Sequence, residues 1–345
     1  MSDLIKSGLV RLRVVLGVIR MTVSRAHAFL RLRRNFIRRR IEGEDDLEQA
    51  RKIAVFVHWD RDGRVHRYVQ HYLESLREAG FAILFVTNSP KLDEGAVERL
   101  LPLVGRILWR RNVGYDFGAY KDGILELGDL SRLEALVIAN DSVYGPFFPM
   151  DEVLEEAHPE RADVFSITDS WERRFHLQSY FMLFHSAALA NPGFTEFWRK
   201  LAYVDNKHYV VAKYEVGLSR VLLAQGLRCV ALYPYETAAR EILERVKRLA
   251  PDDAALTSLP DGERRMIAFL RDALTAGNPI NGSHFFWDHM LVSMRCPFIK
   301  RELLAHNPMR VPGLIYWREA LARVSDYDPE FIREHLRVVR RGRVS

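Results

Sequence analysis

The chain has 345 residues, 48% of them hydrophobic, 28% charged and 11% aromatic, which excludes a disordered, collagenous or disulfide-stapled protein. Two cysteines, Cys229 and Cys296, are too few for a disulfide framework and match no metal-ligand spacing. The net charge of +6 sits at the ends: residues 1–41 hold eleven Lys and Arg against one acid, whereas residues 42–332 hold 35 basic and 43 acidic residues. A nucleic-acid-binding domain carries its positive charge on one folded face, so nucleic acid is excluded as a partner and the ends are expected to meet an anionic surface.

In chain order, Ile5, Leu9, Leu12, Leu16, Ile19 and Val23 recur at three- and four-residue steps, the apolar stripe of a helix. Arg11, Arg25, Arg33 and Arg40 fall on the far side of that wheel, and Arg13 and Arg20 flank the stripe. Those arginines also interrupt the run, so it neither spans a bilayer nor has the uncharged core of a secretory signal. Residues 1–49 are therefore expected to be a basic amphipathic segment, with residues 1–41 lying on an anionic membrane surface. The alternative is a helix packed on the protein's own body.

Four apolar runs follow, Ile53–Val57, Phe81–Val86, Arg106–Trp109 and Ala135–Ala139, spaced 28, 25 and 29 residues apart. Between them the pattern predicts helices over Arg64–Ala79, Ala96–Leu103 and Phe117–Glu126. Continuous apolar runs separated by crossover helices predict a Rossmann-like α/β fold, a mostly parallel sheet flanked by helices. Further strands are expected at Asp163–Thr168, Ser179–His185 and Arg228–Tyr233, with helices at Thr195–Leu201 and Glu215–Gln225 and helical structure over Ala238–Ala276 broken by a loop. Residues 50–330 read as one domain, with a donor half over 50–150 and an acceptor half over 151–330. Residues 331–345 read as a basic tail.

Ligands of such sheets bind beyond the carboxyl ends of the strands. There the sequence places His58-Trp59-Asp60, Asn88, Asn112-Val113-Gly114 and Asn140-Asp141-Ser142. Gly114 opens a helix whose free N–H groups suit an anion, and Asp116 either caps that helix or accepts a sugar hydroxyl. Asp141 with its two neutral neighbours suits Mg²⁺ or Mn²⁺ shared with a diphosphate, or else caps a strand-end turn. Glu215 and Asp169 are the candidates for the general base that a sugar hydroxyl needs when it attacks an anomeric carbon. Each can equally be an ordinary helix-start or strand-end acid. His176, Gln178, Tyr180, His284, Trp287 and Lys300 are the candidates for contacts to sugar or acceptor. No nucleophile elbow, Walker loop or Cys/His metal cluster occurs.

The runs Asn112–Tyr120, Asn140–Pro146, His176–Phe181, Tyr214–Ser219 and Pro297–Leu304 together resemble the rhamnan synthesis protein F family, over residues 50–308. The resemblance implies an A-type glycosyltransferase fold, a nucleotide-sugar donor, typically dTDP-L-rhamnose, and a growing glycan acceptor, which the basic N-terminus suggests is lipid-linked. By the same resemblance Asn112, Gly114 and Asp116 lie on the donor side, Asn140-Asp141-Ser142 stands in place of an Asp-x-Asp metal motif, and Glu215 is the catalytic base. A peripheral enzyme on the cytoplasmic face of the plasma membrane is the resulting expectation. A non-catalytic glycan-binding or scaffolding subunit of a polysaccharide assembly complex is the rival.

Overall fold

The computed structural model describes residues 35–249 and 254–341. Its strands are β1 (Ile37–Glu42), β2 (Lys52–His58), β3 (Ala82–Thr87), β4 (Arg106–Arg110), β5 (Ala135–Asn140), β6 (Val143–Tyr144), β7 (Val164–Ser170), β8 (His176–Leu177), β9 (Phe181–His185), β10 (Cys229–Tyr233) and β11 (Ile299–Lys300). The main sheet runs in the order β1-β4-β3-β2-β5-β9-β7-β10, with β8 paired to the end of β7. β4, β3, β2 and β5 are parallel; β9 is antiparallel to both β5 and β7; β7 and β10 are again parallel. The fold is thus mixed α/β with a mostly parallel sheet, as the spacing of the apolar runs predicts.

The pleat of a strand sends successive side chains to opposite faces, so each apolar run supplies two cores at once. In β2, Ala54 and Phe56 join the core under the helix Arg67–Glu78, with Tyr68, Tyr72 and Leu76. Ile53, Val55 and Val57 join the opposite core, with Phe117, Tyr120 and Ile124 of the helix Tyr115–Glu126. Burying one such side chain contributes about 1.5–3 kcal/mol. Gly123 allows that second helix to approach the sheet: a Cβ there would sit 2.5 Å from the Val55 Cγ1 methyl. The helix Arg67–Glu78 ends at Ala79, and Gly80 turns the chain with a φ of 85°.

Three boundaries need correction. Residues 1–34 of the expected amphipathic segment lie outside the described residues, but residues 37–42 are no helix. They form β1, an edge strand antiparallel to β4. Arg39 pairs with Glu94 at 3.0 Å, and Arg40 with Glu126 at 2.6 Å. Arg38 stacks 5.0 Å from the centre of the Trp109 ring. A charged strand is a common way to cover a sheet edge, and a bulge between Ile37 and Arg39 hides the alternation that would have marked it. Of the expected basic tail, residues 342–345 lie outside the described residues, and the rest is part of the body. The helix Glu330–Arg341 buries Ile332, His335 and Leu336, and the His335 Nδ1 meets the Tyr144 hydroxyl at 2.7 Å. Finally, Glu215 does not start its helix but ends a π-helical turn, Val211–Glu215, within a continuous helical run.

Candidate active site at the carboxyl edge of the sheet

A cavity of about 520 Å³ opens where β5, β7 and β8 end, the edge at which α/β sheets bind ligands. Eight of the expected site residues line it: Asp116, Asn140, His176, Gln178, Tyr180, Glu215, His284 and Lys300. They arrive from different elements. Asp116 stands in the first turn of the helix that Gly114 opens with a φ of 81°. Asn140 ends β5, and its amide reaches Asp116 Oδ2 at 3.4 Å. The π turn delivers Glu215, whose Oε1 accepts from the Ser179 N–H at 3.0 Å and the Ser179 hydroxyl at 2.8 Å. Such turns, which insert one residue into the helical register, often occur at functional sites.

The opposite wall is held by Thr168, whose hydroxyl donates to Gln178 Oε1 at 2.6 Å and meets the Tyr180 hydroxyl at 2.8 Å. His176 donates its Nδ1 proton to the Arg174 carbonyl at 2.8 Å, which fixes the tautomer. Lys300 places Nζ 3.8 Å from the centre of the Tyr180 ring. Sequence reasoning missed Tyr115, Ser170, Ser179, Lys207 and Glu302, which line the cavity together with Ser142. Ser142, Ser179 and Glu302 sit inside motifs already singled out; Lys207 carries no signal of its own.

Several of these groups are electrostatically unusual. Burial, together with the Asp141 and Glu215 carboxylates, pushes the Asp116 carboxyl up to about 6, against Arg301 and Lys207. Burial pulls the Lys300 ammonium down to about 8, against the opposing pull of Glu215, Glu302 and Asp116. Burial, then Lys300, takes His284 down to about 4, so its ring is neutral at pH 7. Its Nδ1 is buried without a hydrogen-bond partner among the described residues.

The other expected residues lie elsewhere, and most of them have a structural task. Asp141 turns away from the cavity. Its Oδ2 pairs with Arg301 Nη1 at 3.0 Å and accepts from the Trp59 N–H at 3.3 Å. Asp169 accepts from the Tyr235 N–H at 2.6 Å and from the Trp171 indole at 3.2 Å, holding a helix start rather than a substrate. Asn88 accepts from the fully buried Arg110 at 2.5 Å. His58 meets Thr87 Oγ1 at 3.3 Å. Asp60 organises its own loop, with Oδ1 accepting from the N–H groups of Asp62 and Arg64 at 2.9 Å each. Although burial opposes it, hydrogen bonding from His66 and those two N–H groups holds its carboxyl below the usual range. Trp287 is buried in the core beneath Tyr180 and Phe298. Asn112 and Trp59 are exposed outside the cavity lining, and the Gly114 N–H donates to Asp205 Oδ1 at 2.9 Å.

A divalent cation does not fit the site as expected. Asp141 already carries a guanidinium as counter-charge, and Asn140 Oδ1 accepts from both the N–H and the hydroxyl of Ser142, at 3.0 and 2.5 Å. Among the described residues no group of three His, Cys, Asp or Glu could hold a metal ion.

Residues 83–249 match the family model described as rhamnan synthesis protein F. This is the family that the motifs resemble, and four of the five motif runs fall inside the match. Uncharacterized protein y4gN of Sinorhizobium fredii is 30% identical over 182 residues, which cover 51% of this chain and 46% of that protein. The chain therefore spans less than half of the y4gN length. Virulence protein VirA of Vibrio anguillarum is 25% identical over 289 residues, 82% of this chain and 89% of that one. Among solved structures, a mannosyltransferase of Pyrobaculum calidifontis in complex with GDP-Man and Mn²⁺ is similar at a TM-score of 0.32 and 10% identity, over 90% of this chain and 94% of that one. A cytidylyltransferase from Leptospira borgpetersenii is similar at 0.32 and 12% identity, over 55% and 77%.

Proposed function

We propose that this chain is an inverting glycosyltransferase that moves a sugar, L-rhamnose from dTDP-L-rhamnose, onto a growing lipid-linked cell-surface polysaccharide. The observation that carries this reading is the cavity, which gathers an anchored carboxylate, neutral hydrogen-bonding side chains and a lysine at the carboxyl edge of the sheet. The nucleotide and the sugar named here rest on the family match alone. The basic residues that precede β1 would keep the enzyme on the anionic cytoplasmic face of the membrane, beside its acceptor. No helix among the described residues is long and apolar enough to cross a membrane.

In the proposed reaction an acceptor hydroxyl oxygen attacks the anomeric carbon of the donor. The new C–O bond forms as the bond to the diphosphate breaks, and that electron pair leaves with the diphosphate. The hydroxyl proton passes to Glu215. Ser179 holds Oε1 of that carboxylate with two hydrogen bonds, and Oε2 makes none among the described residues, so Oε2 is the atom that takes the proton. His176, Gln178 and Tyr180 would orient sugar hydroxyls. No step is routed through a metal ion.

The test is release of dTDP from dTDP-L-rhamnose in the presence of lipid-linked acceptor. Glu215→Gln should lower turnover by about 10²- to 10⁴-fold while keeping donor affinity. Absence of release by the wild-type protein with any nucleotide sugar would favour the scaffolding reading instead.

A further inference from the structure

A glycosyltransferase must neutralise the charge that develops on its departing diphosphate, and the aspartate expected to hold a cation for that purpose is taken. The guanidinium of Arg301 occupies Asp141, and also donates to the Tyr68 hydroxyl at 2.8 Å. The neighbouring residue is placed differently. β11 pairs antiparallel with β6, with Lys300 opposite Val143 and Ile299 opposite Tyr144, and the Arg301 N–H donates to the Ser142 carbonyl at 2.8 Å. This short ribbon fixes Lys300 beside the Asn140-Asp141-Ser142 corner, where a metal-dependent enzyme would carry its ion.

We infer that Lys300 supplies the positive charge for the donor's diphosphate, in place of a divalent cation. Lys300 lines the same cavity as Glu215, Asp116 and His284, so base and counter-charge face one space. Its Nζ rests on the Tyr180 ring and makes no ion pair among the described residues. A second, independent observation points to a ligand here. His284 is only 5% exposed, lines the same cavity, and keeps a buried Nδ1 with no partner among the described residues. Buried polar atoms are rarely left so, and a bound polar group is the ordinary remedy. A neutral imidazole beside a lysine suits a phosphate oxygen: the ring N–H donates a hydrogen bond to it, and the ammonium supplies charge. As the bond to the anomeric carbon breaks, the electron pair settles on the diphosphate oxygen, and Lys300 pairs with that charge without giving up its proton. The lysine moves in this account from the acceptor side to the donor side.

The inference rests on the glycosyltransferase reading, and calorimetric titration of the full chain with dTDP, UDP and GDP separates the two. In EDTA, one of the diphosphates should bind with a dissociation constant within about twofold of that measured in Mn²⁺. Lys300→Met should weaken it at least about tenfold, with Lys300→Arg restoring most of the loss and affinity for the matching nucleoside monophosphate changing less. Binding that requires Mn²⁺ would overturn the inference and leave the transferase standing, as would an unchanged affinity in Lys300→Met. Binding of no diphosphate under either condition would overturn the transferase reading itself. If Lys300→Met fails to fold, the EDTA titration of the wild-type protein and the Lys300→Arg variant still decide.

Discussion

The carboxyl ends of β2, β3 and β4 and those of β5, β7 and β8 carry similar residue types but opposite degrees of satisfaction. In the first region each polar group meets another. Arg110, fully buried, donates to Asp122 at 2.6 Å, to Asn88 at 2.5 Å and to the Val113 carbonyl at 3.0 Å, and the Tyr203 hydroxyl closes the set on Asp122. Thr87 and Ser89 join His58 and Asp60 in the same way. In the second region Lys300 lacks an ion pair among the described residues, His284 lacks a partner for Nδ1, and Asp116 is pushed up to about 6. A polar network that is complete holds loops together; one that is incomplete has been left open for a ligand.

The strongest test of that contrast is Glu215→Gln, which should cost about 10²- to 10⁴-fold in turnover with a melting temperature close to that of the wild type. In the closed region the loss should be of the other kind. Asp122→Ala strands a buried guanidinium and should cost about 3–5 kcal/mol in denaturant unfolding, enough to threaten folding before any effect on catalysis is seen. Asp141→Ala should likewise behave as a stability variant, losing about 2 kcal/mol through Arg301 and leaving donor affinity independent of Mn²⁺. A metal requirement that disappears with Asp141 would break the comparison.

The pH responses are smaller and sharpen it. The Lys300 ammonium, brought down to about 8 by burial and faced by Glu215, Glu302, Asp116, Lys207 and His284, loses its charge as pH rises through 8. Diphosphate affinity should therefore fall between pH 7 and pH 9, as titration at each pH would read, and Lys300→Arg should flatten that slope. Asp116 binds its proton more tightly folded than unfolded, so its contribution to stability is full below the ordinary carboxylate range and is lost as pH rises through about 6. Asp116→Asn should remove this loss, and its melting temperature relative to wild type should rise between pH 4 and pH 7. The smallest effect belongs to the edge strand: Arg39→Ala breaks an exposed pair with Glu94 and should cost less than about 1 kcal/mol.

Much of this arrangement is legible in the order of the residues. The Asn140-Asp141-Ser142 motif marks the corner, but a turn decides which of the three face the cavity: the chain leaves β5 at Asn140, whose Oδ1 accepts from the Ser142 N–H and hydroxyl, and Asp141 is left outside the cavity. The rest is hidden from any local pattern because it depends on partners distant along the chain. Arg301 reaches Asp141 across 160 residues, and Glu215 finds Ser179 across 36. A carboxylate's task is set by the donor it meets, and its neighbours in sequence do not name that donor.

The layered α/β body follows from the chain's own pattern: apolar runs at crossover spacing must bury both faces, and a parallel sheet between helices does so. The edge at which ligands gather follows as well, since strand ends open into loops there. Which of the polar loops are closed and which are left open is settled in three dimensions alone. So is the place of the arginines of residues 38–40 on a sheet edge, and the packing of residues 330–341 as a helix. The physical reason is common to all of these. Hydrophobic periodicity is a local property of the chain, whereas charge and hydrogen bonding are settled by whatever the fold brings within about 3 Å.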